Sequence, residues 1–339
     1  LDQKMHEFEL INNYFSKISK KNISALNLND DVFFDKSKGL VISVDTYIIG
    51  THFINFKSPD LVIKKILRSS ISDLVCKGVK PKFYFISGSG NKETFSKKNL
   101  SKISNSLKKE QKKYGLNLCG GDTTFSNKLS FTFTSLGYSK KIVYRNKACL
   151  NDNIYVTGDL GDSFIGLQIL KNKINLNKKT ANFFTNKYYQ PELQIRLCNH
   201  LSKFANTSID ISDGLFDDLK KMINKQNISF QLNEEEIPIS SHLSNLITIK
   251  KFQKRKIVSN GDDYQILFTA NKNKDRIIEK VSKNTGVKIT KIGKIISGKN
   301  KSIVIDAKGK QIKPNNKGYV HQFWKLMIVF FIFFCIVRL

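Results

Sequence analysis

The chain has 339 residues, with 57 Lys plus Arg against 28 Asp plus Glu, a formal net charge of +29, and 40% hydrophobic residues. That length leaves room for two domains or one large one, and the hydrophobic share with only 5 prolines excludes a disordered chain. The basic residues run through nearly every segment without an aromatic-interleaved patch, so they read as a solvated surface and no nucleic-acid partner is expected.

Five cysteines, Cys76, Cys119, Cys149, Cys198 and Cys335, are odd in number and include no Cys-x-x-Cys pair. A reducing, cytoplasmic location fits that pattern, and the first four are expected to be small buried hydrophobes. Leu1 to Lys21 is amphipathic and charged and lacks the apolar region of a signal peptide. Its residues Phe8, Leu10, Ile11, Tyr14, Phe15 and Ile18 recur at helical spacing, which predicts a helix packed on the body through those side chains.

Val32 to Phe34 and Leu40 to Val44 read as strands around a Lys36-Ser37-Lys38-Gly39 turn, with Asp45 at the end of the second. Leu61 to Lys77 reads as a helix stopped by Gly78, with Asp73 late on it. Phe83 to Ile86 is a predicted strand, and Lys97 to Tyr114 a helix with Leu100, Ile103, Leu107 and Tyr114 inward. Leu116 to Cys119 should be a strand running into a Gly120-Gly121-Asp122 turn, where glycine would let backbone N–H groups approach phosphate. A half-exposed strand follows around Leu129, Phe131 and Phe133, and the sheet pattern lapses between Tyr138 and Ile154.

Past that lapse, Ile154 to Thr157 is a predicted strand, and Gly158-Asp159-Leu160-Gly161 leads into a helix without the residues of a P-loop. Glu192 to Phe204 reads as a further helix. Ser208 to Ile211 then suits a buried strand, and Ser212 or Asp213 an N-cap for a helix carrying Leu215, Leu219, Met222 and Ile223 on one face. Free N–H groups at that helix start, beside carboxylates, would suit a phosphate together with a divalent cation. Tyr264 to Thr269, Val287 to Ile296 and Ile303 to Ile305 are predicted strands, and Asp275 to Thr285 a helix.

Acids are scarce in this chain, yet aspartates gather in a few short pieces. These are Asn29-Asp30-Asp31, Ser43-Val44-Asp45-Thr46, Ser72-Asp73, Gly121-Asp122, Asp210-Ile211-Ser212-Asp213 and Gly261-Asp262-Asp263. Scattered surface acids would not cluster so.

Taken in order with Gly50-Thr51-His52-Phe53, Arg145, Tyr155-Val156-Thr157-Gly158 and Gly318-Tyr319-Val320-His321, these pieces resemble the thiamine-monophosphate kinase family. Its superfamily includes aminoimidazole ribonucleotide synthetase and selenophosphate synthetase. The resemblance covers roughly Met5 to Phe323. It implies an α/β (α+β), two-domain synthetase-like fold. Residues 1–140 would bind ATP and Mg²⁺ and form a homodimer through their sheet, residues 141–323 would form an α/β domain, and 324–339 would lie outside the match.

The implied reaction is ATP plus thiamine phosphate giving ADP plus thiamine diphosphate. Asp30, Ser43, Val44, Asp45, Asp73, Asp122, Asp210 and Asp213 would hold Mg²⁺, and Asp45, Asp73, Asp213 and Arg145 would serve catalysis. Gly121, Asp122, Arg145 and Ser212 would contact the nucleotide, and His52, Asp262 and Tyr319 the thiamine phosphate. This sequence departs from the family pattern in several places. Asn27, Lys147 and Asn151 stand where the family usually has Gly, and Asp262 where it has Glu. The apolar run Leu326 to Val337 is short for a membrane span and reads as an appended tail, with membrane contact not favoured. The competing reading from another class is a basic protein that binds nucleic acid or an anionic membrane.

Overall fold

A computed structural model of the chain describes residues 7–314. The helix predicted at the start is present as α1 (Glu7–Leu10), a π turn over Ile11–Phe15, and α2 (Ser16–Ser19). Its expected core role is not: Tyr14, Phe15 and Ile18 are exposed, Ile18 at 81%. Helical periodicity shows which side chains share a stripe, and among the described residues little is packed over those three.

Among the described residues the strands form two sheets. The first is built from β1 (Phe33–Asp35), β2 (Leu40–Ile48), β3 (Pro81–Gly90), β4 (Asn117–Phe125) and β5 (Ser130–Tyr138), in the order β1-β2-β5-β3-β4. All neighbours are antiparallel except β3 and β4, which are parallel. A parallel pair needs a crossover, supplied by α4 (Lys97–Tyr114); α3 (Pro59–Cys76) precedes β3. The two helices cover one face of the sheet, where Val62, Ile66, Ile103 and Leu107 pack with Tyr47, Phe131 and Phe133. Leu100, expected inward on α4, shares the Ile103–Leu107–Tyr114 stripe but is 46% exposed, because it sits in the first turn, at the end of that stripe.

The predicted Gly120-Gly121 turn is instead the middle of β4, an exposed edge strand. Glycine is required there by close approach: a Cβ on Gly121 would lie 1.7 Å from the Ile86 carbonyl oxygen. Asp45 lies within β2 rather than at its end, because that strand runs on to Ile48 beside β5.

The second sheet has the order β12-β11-β8-β10-β6-β9-β7. Its strands are β6 (Asn153–Thr157), β7 (Thr207–Asp210), β8 (Ile228–Asn233), β9 (Ile266–Ala270), β10 (Ile289–Ser297), β11 (Ile303–Ile305) and β12 (Gln311–Ile312). Around it lie α5 (Asp162–Leu170), α6 (Lys178–Tyr189), α7 (Cys198–Leu201), α8 (Leu215–Met222), α9 (Ser241–Lys250), α10 (Lys254–Val258) and α11 (Asp275–Thr285). The helix expected over Glu192 to Phe204 shrinks to a 3₁₀ turn at Ile195–Leu197 and the single turn of α7. Asn27 and Asn151 hold positive φ of 57° and 66°, so asparagine preserves the left-handed backbone for which glycine is the usual choice.

The C-terminal end of α3 is tied to the second sheet. Ser208 Oγ donates to the Cys76 carbonyl at 2.6 Å, and Lys77 Nζ donates to the Ser208 carbonyl at 2.8 Å. Cys76 and Cys198 are buried as expected, but Cys119 and Cys149 are exposed, the former on the edge strand β4. No described helix is long and apolar enough to cross a membrane. The apolar tail lies outside the described residues.

One buried ion pair holds α3 to α4. Arg68 donates through Nε to Glu110 Oε2 at 2.7 Å and through Nη2 to Oε1 at 3.0 Å, and its Nη1 reaches the Pro191 carbonyl at 3.1 Å. Removing one partner strands the other charge in the core. Glu110→Ala should therefore lower unfolding free energy by about 3–5 kcal/mol, read as a lower urea midpoint.

Candidate active site

A cleft of ≈ 790 Å³ opens where β2, α3 and the loops after β7 and before β9 meet. Asp30, Val44, Asp45, His52, Asp73, Arg145, Asp210, Ser212, Asp213 and Asp262 all line it. Ser43 sits just behind, buried, its hydroxyl donating to Asp73. Ten sequence-predicted residues, drawn from segments more than 200 positions apart, thus share one wall. Gly121 and Asp122 do not: they lie on β4, whose register aligns Asp122 with Ser87, Thr132 and Thr46. Three strand spacings put Asp122 roughly 14 Å from Thr46. Tyr319 is outside the described residues.

The centre of the cleft is acidic. One oxygen from each of Asp31, Asp73 and Asp210 falls within 4.8 Å of the others, a donor set of the kind a hard divalent cation takes. Asp73 comes from the last turn of α3, Asp210 from the end of β7, and Asp31 from the turn before β1. Hydroxyls hold two of them, Ser43 on Asp73 and Ser72 on Asp210. The Arg145 guanidinium pairs with Asp31, Nε at 3.2 Å from Oδ2.

Burial raises four carboxyls here, those of Asp45, Asp73, Asp210 and Asp213. Asp73 is pushed well above the ordinary range by burial and by the Asp45 and Asp210 charges. Asp45 rises to about 6 through burial, against the Tyr47 hydroxyl that donates to it at 3.1 Å. Asp210 rises to about 6 through burial, with Asp218 adding repulsion and the Ser72 hydrogen bond opposing. Asp213 rises to about 6 for the same first reason, with Asp218 repelling and Lys221 attracting.

The helix start expected to offer free N–H groups is built differently. Gly214 occupies the N-cap position of α8, and Asp218 within the helix accepts from the backbone N–H of both Asp213 and Gly214 at 2.9 Å. Lys221 pairs with Asp213 and with Asp218, the latter at 3.0 Å. The positive charge beside Asp213 is therefore a lysine side chain more than a helix terminus.

A second loop lies against this one. Asp262 N–H donates to the Ser212 carbonyl at 2.9 Å and Tyr264 N–H to the Ile211 carbonyl at 2.8 Å. Only glycine fits at 261, where a Cβ would meet the Ser212 carbonyl oxygen at 1.7 Å. At this end Lys65 pairs with Asp262, and its ammonium sits 4.3 Å from the Tyr188 ring centroid. His52 accepts the Ile48 N–H on Nδ1 at 2.9 Å, which fixes the proton on Nε2 in the neutral ring.

Sequence reasoning did not single out Lys65, Lys77 or Lys221, nor assign Asp31 to a metal. One signal was available for the first: Lys65, Ser69 and Asp73 recur at four-residue steps and so share one face of the helix.

Comparison with known proteins gives matches along most of the chain. The pattern described as AIR synthase related protein, N-terminal domain, matches residues 28–139. Thiamine-monophosphate kinase of Buchnera aphidicola subsp. Acyrthosiphon pisum is 33% identical, over 94% of this chain and 99% of its own length. The chain belongs to the thiamine-monophosphate kinase family. The family protein of Haemophilus influenzae is likewise 33% identical, over 86% of this chain and 89% of its own. Among solved structures, AaThiL complexed with AMPPCP and TMP superposes with a TM-score of 0.81 at 26% identity, covering 95% of this chain and 99% of that one. Thiamine monophosphate kinase from Aquifex aeolicus gives 0.77 at 26% identity, over 91% and 98%. The α+β architecture expected from the sequence is the architecture of these family members.

The raised carboxyls fix the sign of a pH effect in metal-free protein. Folded values near 6 against 3.8 mean that native Asp45, Asp210 and Asp213 keep protons that the unfolded chain gives up. Their stabilising contribution is full below about pH 4 and is lost as pH rises through about 6. In EDTA, Asp210→Asn should remove part of the fall in melting temperature between pH 5 and pH 7, by roughly 2 °C in calorimetry.

Proposed function

We propose that this chain phosphorylates thiamine phosphate with ATP, giving thiamine diphosphate and ADP. The observation that carries this reading is the convergence of Asp31, Asp73 and Asp210 within 4.8 Å on a cleft that also holds Asp45, Asp213 and Arg145. Crowded carboxylates of this kind suit bound Mg²⁺ and, through it, polyphosphate. The likeness to a protein complexed with AMPPCP and TMP supplies the substrate classes.

In this reading Asp31, Asp45, Asp73, Asp210 and Asp213 would hold Mg²⁺, with Ser43 steadying Asp73. Mg²⁺ held by these residues would supply positive charge against the repulsion between the two phosphate groups, the main obstacle to transfer. The attacking group is an oxygen of thiamine phosphate, already anionic near neutral pH because its second pKa is about 6, so no strong general base is required. A bond forms from that oxygen to the γ-phosphorus as the bond to the β–γ bridging oxygen breaks, and the electrons leave with ADP. Arg145 and Lys221 would offer positive charge to the nucleotide, and Ser212 a hydroxyl. His52 and Asp262, which line the same cleft, would contact thiamine phosphate.

Residues 1–140 and 141–323 form the two domains of this reading, with 324–339 as a tail. Gly121 and Asp122 act across a homodimer. Supporting this is the open face of the first sheet, where Val44 is 61% and Phe85 40% exposed, in register through Thr134. Free thiols at Cys76, Cys119, Cys149 and Cys198 favour a reducing, cytoplasmic setting.

Purified protein given ATP, Mg²⁺ and thiamine phosphate should form thiamine diphosphate, resolved by chromatography, with no product in EDTA. Asp213→Asn should lower turnover on the order of 10²-fold or more while the protein stays folded. A covalently labelled protein after incubation with γ-labelled ATP would refute direct transfer. Light scattering should give a dimer mass, and Phe85→Asp should shift it to the monomer.

A further inference from the structure

Lys77 follows the last turn of α3 and is fully buried. Its ammonium donates to Asp30 Oδ1 at 2.8 Å, Asp31 Oδ2 at 2.6 Å and the Ser208 carbonyl at 2.8 Å. Three N–H bonds meet three oxygens, so its donor capacity is filled. Two of those oxygens are anionic and all are hard donors, the surroundings that a divalent cation would accept.

Asp30 is correspondingly occupied by the chain itself. Its Oδ1 also accepts the Asp31 N–H at 2.9 Å, and its Oδ2 the Arg145 N–H at 2.9 Å. Asp31 has a different position: it pairs with Lys77 and Arg145 and still reaches the cluster with Asp73 and Asp210.

We propose that the Lys77 ammonium is a resident cation of the active site, occupying between Asp30 and Asp31 a place that a divalent ion would otherwise fill. Asp30 then serves Lys77 and the Arg145 backbone, and this chain takes up one divalent ion fewer than its aspartates alone would. A tethered charge cannot be chelated or diluted away, so Asp31 and Arg145 stay arranged in metal-free protein. Lys77 is thus a positioning residue that acts through Asp30, Asp31 and Arg145. The inference rests on the Mg²⁺ reading of the cleft.

The test is Mn²⁺ binding followed by electron paramagnetic resonance, with a non-hydrolysable ATP analogue, on the full chain and on Lys77→Met. The variant keeps an unbranched side chain one atom shorter and removes its charge. It should bind one further Mn²⁺ per chain, and Mg²⁺ should recover at least half of the melting temperature that it loses in EDTA. Equal Mn²⁺ uptake by both chains would overturn the inference and leave the Mg²⁺ reading standing; no uptake by the unaltered chain would overturn both. If Lys77→Met does not fold, ¹⁵N-lysine NMR of the unaltered chain decides. Buried Lys65 and Lys77 should each give a slowly exchanging ammonium in EDTA; the one that Lys65→Met leaves is that of Lys77, it should persist at saturating Mg²⁺, and its disappearance on saturation would show that metal displaces Lys77.

Discussion

Carboxylates brought within 4.8 Å of one another repel, and the cleft is arranged around that repulsion. Every acid at its centre has a hydroxyl, an ammonium or a guanidinium aimed at it: Ser43 on Asp73, Ser72 on Asp210, Tyr47 on Asp45, Lys221 on Asp213, and Lys77 with Arg145 on Asp31. These partners hold the side chains in place but do not remove the penalty, as the raised carboxyls of Asp45, Asp73, Asp210 and Asp213 record. A site that resists carrying its own negative charge is one that gains from positive charge brought with the substrate. Function and strain therefore have one origin here.

Holding such a site together needs joints stronger than its repulsion. The first joint is α3, whose apolar face packs on the first sheet while Cys76 and Lys77 reach Ser208 on the second. The second is the pair of crossing loops, where Gly261 lets the backbone of Asp262 lie against Ser212. The apolar face of α3 and the backbone hydrogen bonds of the crossing loops are insensitive to the state of the acids between them, whereas Lys77 ties the first joint to Asp30 and Asp31.

Much of this was legible in the chain. Regular elements with strong periodicity, such as Lys97–Tyr114 and Asp275–Thr285, were readable to the residue, because their stripes and their closing glycines agree. The aspartate pieces announced the site, because acids are rare in a basic chain and so their clustering carries information. What sequence could not give was partnership across the fold. Tyr14, Phe15 and Ile18 show a stripe that stays exposed among the described residues; Gly120-Gly121 looks like a turn but serves close strand contact; Asp218 caps α8 from inside rather than from Ser212 or Asp213. Lys77 reads as one lysine among many until the fold places it between two aspartates. The helices Lys178–Tyr189 and Ser241–Lys250 and the strand Ile228–Asn233 escaped notice, being short and only weakly patterned.

Lys65, Ser69 and Asp73 face the cleft from successive turns of a single helix. At 1.5 Å per residue, Lys65 and Asp73 are about 12 Å apart along its axis, and helical rigidity makes that span a ruler. Drift in the letters between them is tolerable wherever apolar packing is kept. A change in their count is not, because one inserted or deleted residue turns everything beyond it by about 100° and carries Asp73 out of the cleft. Among descendants of this gene the segment from 65 to 73 should vary in composition and stay fixed in length, the imprint of a distance rather than of any one side chain.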